Sequence, residues 1–183
     1  MSEGSRLPMR VIALSTVVAL AAAVGTYTLL QDDGPSSAGA PVELTPEKPD
    51  GVAFTGFDGA TVALSSLRGT PLLVNFFAST CVPCITEMPA LEKVHKELGD
   101  KVTFLGLALQ DRPEEALALI ERTGITYRTG QDKDASVITG LGGTVLPTTV
   151  LLDADGKIVA THSGQLDAAG LRKLVADELG ISA

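Results

Sequence analysis

A chain of 183 residues has room for one ordinary domain and a short appendage. Its 22 acidic and 14 basic side chains leave a net charge of −8, which lacks the basic excess that a phosphate backbone demands and argues against nucleic-acid binding. Two cysteines and no Trp rule out a disulfide-dense scaffold, and a mean hydropathy of +0.28 requires that apolar residues be segregated somewhere along the chain.

That segregation lies at the start. Val11 to Leu30 is a run of twenty residues without a charge, long enough as a helix to reach ~30 Å, the thickness of a bilayer core. Arg6 and Arg10 precede it and Asp32 and Asp33 follow. The positive-inside bias therefore puts residues 1–10 in the cytoplasm and everything after the span outside. The expectation is a transmembrane signal anchor over residues 11–30. A cleaved signal peptide, with Ala21 to Ala23 near its cut, is the alternative, and it would leave the domain secreted. Either way the remainder is exported. Residues 31–50 hold Pro35, Pro41, Pro46 and Pro49 among Gly, Ser and acidic residues, which predicts a flexible tether with no core of its own.

A folded domain is expected over residues 51–183. Val52 to Phe57 and Thr61 to Leu64 flank Asp58-Gly59 and read as a hairpin; Leu72 to Phe77 is a continuous apolar run suited to a central strand covered on both faces. Ile85, Met88, Leu91, Val94 and Leu98 then recur at helical spacing, with Gly99 as the stop. Val102 to Leu109 reads as a strand. Asp111, three residues before Glu114 and two before Pro113, is the expected cap of a helix that Gly124 ends. A short strand near Tyr127 and a short helix over Ala135 to Leu141 follow. Thr148 to Leu152 and Lys157 to Thr161 form a second hairpin around Asp153 to Gly156, and a last helix starts at Asp167 and closes at Gly180. Strands joined first by helices and then by a hairpin predict an α/β sandwich with a mixed sheet.

The chemistry is concentrated in Cys81-Val82-Pro83-Cys84, at the junction between the Leu72 to Phe77 strand and the following helix. A thiol there meets the unpaired N–H groups and positive dipole end of the helix, which favour thiolate. Cys81 is the expected nucleophile, and Cys84, one turn further in, the resolving thiol. The two-residue spacer closes too short a loop for a mainly structural bridge, and only His95 and His162 could complete a zinc site, so a redox-active disulfide is the favoured reading.

Leu73 to Pro89, with its Cys-x-x-Cys-x-x-Glu-x-Pro pattern, and Leu146-Pro147-Thr148-Thr149 resemble the active-site segment and cis-proline strand of the membrane-anchored thioredoxin-like TlpA/ResA/CcmG family. The resemblance covers roughly residues 51–183, and the 62 residues between Cys84 and Pro147 leave space for that family's strand-helix insertion. It implies a thioredoxin-like three-layer sandwich behind one N-terminal transmembrane helix, and an extracytoplasmic thiol-disulfide oxidoreductase that reduces envelope proteins such as apocytochrome c. A membrane thiol donor of the CcdA/DsbD kind would supply electrons, and no diffusible cofactor or metal is implied.

It also implies a cis bond at Pro147, with the backbone of Leu146 free to pair with substrate, and a proton-handling role for Glu87, whose alternative is a solvated helix charge. Asn75 stands where thioredoxins have a buried aspartate, and Thr80 where the family has Trp. Pro89 is expected to kink the active-site helix. Two rivals remain: a peroxiredoxin-like thiol peroxidase of the AhpC/TSA kind, although Thr80 directly abuts Cys81 instead of following the Pro-x-x-x-Thr-x-x-Cys pattern, and a non-enzymatic Cu(I) or zinc carrier.

Overall fold

The structure is a computed structural model that describes residues 49–182. The expected cytoplasmic segment, the 11–30 anchor and nearly all of the 31–50 tether lie outside these residues. No helix among the described residues is long and apolar enough to cross a membrane. Asp50, at the end of the expected tether, is paired with Arg68.

Among the described residues seven strands and four α-helices follow one another: β1 (Ala53–Thr55), β2 (Thr61–Ala63), β3 (Leu72–Phe77), α1 (Val82–Leu98), β4 (Thr103–Leu109), α2 (Pro113–Thr123), β5 (Arg128–Asp132), α3 (Ser136–Gly140), β6 (Thr148–Leu152), β7 (Ile158–Ser163) and α4 (Ala168–Leu179). One sheet contains all the strands in the order β2-β1-β5-β4-β3-β6-β7. Strand β3 runs parallel to β4 and antiparallel to β6, and β4 runs parallel to β5, so the sheet is mixed as expected. Both hairpins form, the first shorter than its apolar run because only Ala53 to Thr55 and Thr61 to Ala63 pair.

The two-residue period of β3 divides the core. Leu73 and Phe77 face a cluster with Met88, Leu91, Val94 and Leu98 of α1 and Leu171 and Val175 of α4, whereas Leu72, Val74 and Phe76 face a second cluster with Val137 and Ile138 of α3. All six β3 side chains are buried, which explains why the strand reads as an apolar run interrupted only by Asn75. Asn75 falls between Leu73 and Phe77 on the α1 face. In β4 the equivalent position is Gly106, paired in register with Asn75; a Cβ there would lie 3.1 Å from the Tyr127 ring and 3.3 Å from that of Phe77, so its lack of a side chain makes room for both.

Helix ends follow the sequence at Gly99, Gly124, Asp167 and Gly180 and depart from it at Asp111. Gly124 and Gly180 end α2 and α4 in the left-handed conformation, and Asp167 caps α4 by accepting from Gly170 N at 2.7 Å. Asp111 does not cap α2. The cap residue is Arg112, without a side-chain bond, because the Asp111 carboxylate is turned toward the loop before Cys81. Pro89 lies inside α1 and is exposed.

Helix α1 carries two buried carboxylates. Glu92 is 6% exposed, and accepts from Thr126 N (2.8 Å), Thr126 Oγ1 (2.7 Å) and Lys96 Nζ (2.8 Å). Burial opposes its charge, but these donors outweigh it and hold the carboxyl below its ordinary range. His95 packs against Phe104 and Tyr127 at 5.1 and 5.5 Å between ring centroids.

Candidate active site

Strand β3 ends at Phe77, and three residues, Ala78 to Thr80, lead into α1. Cys81 is the N-cap of that 17-residue helix; it has extended backbone, and its Sγ accepts from Cys84 N at 3.3 Å. Its own N–H donates to Ala78 O (3.0 Å) and its carbonyl accepts from Ile85 N (3.1 Å), so the turn is fixed on both sides. The first turn of α1 has no acidic residue to offset the positive end of the helix. Pro83 occupies this turn, where its missing N–H costs no intrahelical bond.

Cys81 and Cys84 are joined in a disulfide with Cα atoms 5.3 Å apart. Their exposure differs: Cys81 is partly accessible and Cys84 fully buried. A thiolate released at Cys81 would be reachable from solvent and stabilised by the helix end, and one at Cys84 would be enclosed. Val82, between them, is 70% exposed.

Asp111 holds the approach to the pair. Its Oδ2 accepts from Ser79 N at 2.5 Å and its Oδ1 from Ser79 Oγ at 2.9 Å, so the loop two residues before Cys81 is fastened to the end of β4. Sequence spacing assigned Asp111 to the helix it precedes, and nothing in that spacing signals a partner 32 residues earlier.

Glu87 lies one turn after Cys84 and is 1% exposed, which overturns the reading of a solvated helix charge. Its Oε1 accepts from Asn75 Nδ2 at 2.8 Å and its Oε2 from Leu166 N at 3.0 Å. Burial pushes the carboxyl above its ordinary range, opposed by the Leu166 amide and then by Asn75. Asn75 also donates to Thr149 Oγ1 (3.2 Å), its register partner on β6. The sequence singled out Asn75 for lacking a charge; its contact with Glu87 depends on how α1 lies across the sheet and was not legible from spacing.

The Leu146–Pro147 peptide bond is cis. Pro147 is buried and leads into β6; Leu146 is half-buried, and Val145 before it is 53% exposed. Among the described residues no group of three or more His, Cys, Asp and Glu side chains is arranged to hold a metal ion.

The sequence matches the Redoxin family over residues 46–175. The thiol-disulfide oxidoreductase ResA of Halalkalibacterium halodurans is 32% identical over 108 residues, 58% of this chain and 61% of that protein. ResA of Bacillus thuringiensis is 30% identical over 162 residues, 88% of this chain and 90% of that protein. Among solved structures, MTB DsbF in its mixed oxidized and reduced forms superposes with a TM-score of 0.65 at 25% identity, covering 73% of this chain and 98% of that one. The chain belongs to the Redoxin family, with a thioredoxin-like fold, and is a thiol-disulfide oxidoreductase of the ResA type with Cys81 and Cys84 as its pair.

Proposed function

We propose that the chain is an extracytoplasmic, membrane-anchored reductase of protein disulfides, with Cys81 as attacking thiol and Cys84 as resolving thiol. The observation that carries the assignment of roles is the difference in access between the two sulfurs, combined with the position of Cys81 at the cap of α1. In the dithiol form, Cys81 thiolate attacks one sulfur of a substrate disulfide. The substrate S–S bond breaks, a mixed disulfide forms, and the released substrate thiolate takes up a proton. Cys84 then loses its proton to Glu87 or to water and attacks Cys81 Sγ. The second substrate thiol leaves, two electrons have passed to the substrate, and the Cys81–Cys84 disulfide remains. A membrane thiol donor of the CcdA/DsbD kind restores the dithiol. No diffusible cofactor enters the cycle.

The exposed apolar side chains Val82, between the cysteines, and Val145, before the cis-proline turn, suit a protein substrate. In this reading an extended substrate segment pairs with the backbone of Leu146 beside Pro147. Apocytochrome c is the proposed class of substrate, on the resemblance described above, and the charge-free run 11–30 with Arg6 and Arg10 before it supports the anchor and its orientation.

A redox titration of the pair tests the direction. A potential near ~−270 mV is expected for a reductase, and one near ~−120 mV would make the protein an oxidant.

A further inference from the structure

Asn75 is fully buried, and the two ends of its amide are treated differently. Nδ2 donates to Glu87 Oε1 and Thr149 Oγ1, whereas Oδ1, equally enclosed, has no partner among the described residues. A buried acceptor without a donor is costly, and its retention beside a buried carboxyl calls for an explanation. The other polar contact of Glu87 is Leu166 N, which can donate to a carboxylate and cannot accept from an acid. Among the described residues no Lys, Arg or His forms an ion pair with Glu87. The titratable groups around it are Cys84, one turn back on α1, and the buried hydroxyl of Tyr127 just before β5, which burial and the charges of Glu92 and Glu87 keep protonated. Of the two groups hydrogen-bonded to Glu87, only the amide of Asn75 can turn an acceptor toward the protonated acid.

We propose that Asn75 is a positioning residue for proton exchange at Glu87: it donates to the carboxylate through Nδ2 and, with its amide turned half a rotation about Cβ–Cγ, accepts from the protonated acid through Oδ1. The Thr149 hydroxyl, donor or acceptor as required, serves either orientation. The proton that leaves Cys84 Sγ during resolution goes to Glu87 Oε1, is held there against Asn75 Oδ1, and passes to water when Nδ2 returns. A leucine at this position offers neither function, and an aspartate adds a second negative charge. The inference deepens the proposed function and rests on its reading of Glu87 as the carboxylate that exchanges a proton with Cys84.

The test uses the full chain in detergent micelles with 13C-labelled glutamate carboxyls, the Glu87 resonance being identified by its loss in Glu87→Gln. In Asn75→Leu the Glu87 titration midpoint is expected to rise by roughly one pH unit or more, the equivalent of one hydrogen bond to a charged group. In Asn75→Asp the two carboxyls are expected to titrate as a coupled pair in two separated steps. The pH profile of Cys81 alkylation should move in Asn75→Leu, and should not move further when Asn75→Leu is added to Glu87→Gln. An unchanged Glu87 midpoint in both Asn75 variants, or an alkylation shift of equal size with and without Glu87, overturns the proposal. An alkylation profile in Glu87→Gln identical to wild type instead overturns the reading of Glu87, and the carboxyl titration still decides the role of Asn75. Should Asn75→Leu fail to fold, the nearly isosteric Asn75→Asp carries the same decision.

Discussion

Asp111 and Ser79 are joined twice, through the Ser79 backbone N–H at 2.5 Å and its hydroxyl at 2.9 Å, and the contact ties the loop ahead of Cys81 to the strand beside it. Removing the carboxylate by Asp111→Ala leaves both Ser79 donors and the Arg112 N–H without their acceptor. The expected loss is ~1–3 kcal/mol of stability, read from denaturant midpoints, together with slower disulfide reduction. Ser79→Ala removes only the hydroxyl bond and should cost about half as much. If both variants match wild type in stability and rate, the contact does not hold the loop.

The unequal access of the two sulfurs predicts unequal serine variants. Cys81→Ser abolishes turnover, whereas Cys84→Ser accumulates a mixed disulfide with substrate, visible on non-reducing gels and by mass spectrometry. Alkylation at graded pH should show Cys81 titrating below the free-cysteine value of ~8.5. Faster alkylation of Cys84 than of Cys81 reverses the assigned roles.

Glu87 predicts a dependence of stability on pH. Its carboxyl is held above the ordinary range in the folded chain, so the folded state binds the proton more tightly than the unfolded state. Stability from this group is full below the ordinary carboxylate value and is lost as pH rises through the raised value. At neutral pH the buried charge is a net cost. Glu87→Gln should abolish that downward slope, measured as denaturant midpoints from acid to neutral pH, while slowing disulfide reduction. Removal of a negative charge near the pair should also lower the apparent thiol pKa by relief of like-charge repulsion. Superimposable stability and alkylation curves for variant and wild type would reject both effects.

For the exported orientation, a reporter that is active only in the cytosol, fused after Ala183, should be silent. Activity there would place the cysteines on the reducing side and remove the argument for an envelope substrate.

The sequence made the sheet legible because β3 is apolar at every position that both core clusters require, apart from Asn75, and because Gly124 and Gly180 stand where the helices need a left-handed residue. The cysteines were legible for a local reason: strand, loop and helix cap follow one another within a dozen residues. What spacing could not supply was contact across layers. Asp111 fits the cap of its own helix equally well on paper, and only the parallel register of β3 and β4 brings it beside Ser79. Glu87 looked equally suited to water or to the core, since its fate depends on Asn75 and on Leu166, 79 residues away. Glu92 was missed altogether, because its partners come from the loop before β5.

Those two glutamates act on α1 like stays rigged to opposite anchor points, Glu87 to the amide of Leu166 ahead of α4 and Glu92 to Thr126 ahead of β5. They are five residues apart, well over a quarter turn around the helix, so a roll that slackens one tightens the other. The body of the helix is thereby denied a sliding or rolling response to the redox state of the pair. Main-chain rearrangement of α1 between disulfide and dithiol is directed to the segment ahead of Glu87, from the Ser79 loop to Cys84, and lengthening α1 by one residue between Glu87 and Glu92 would detach one of the two stays at a stroke.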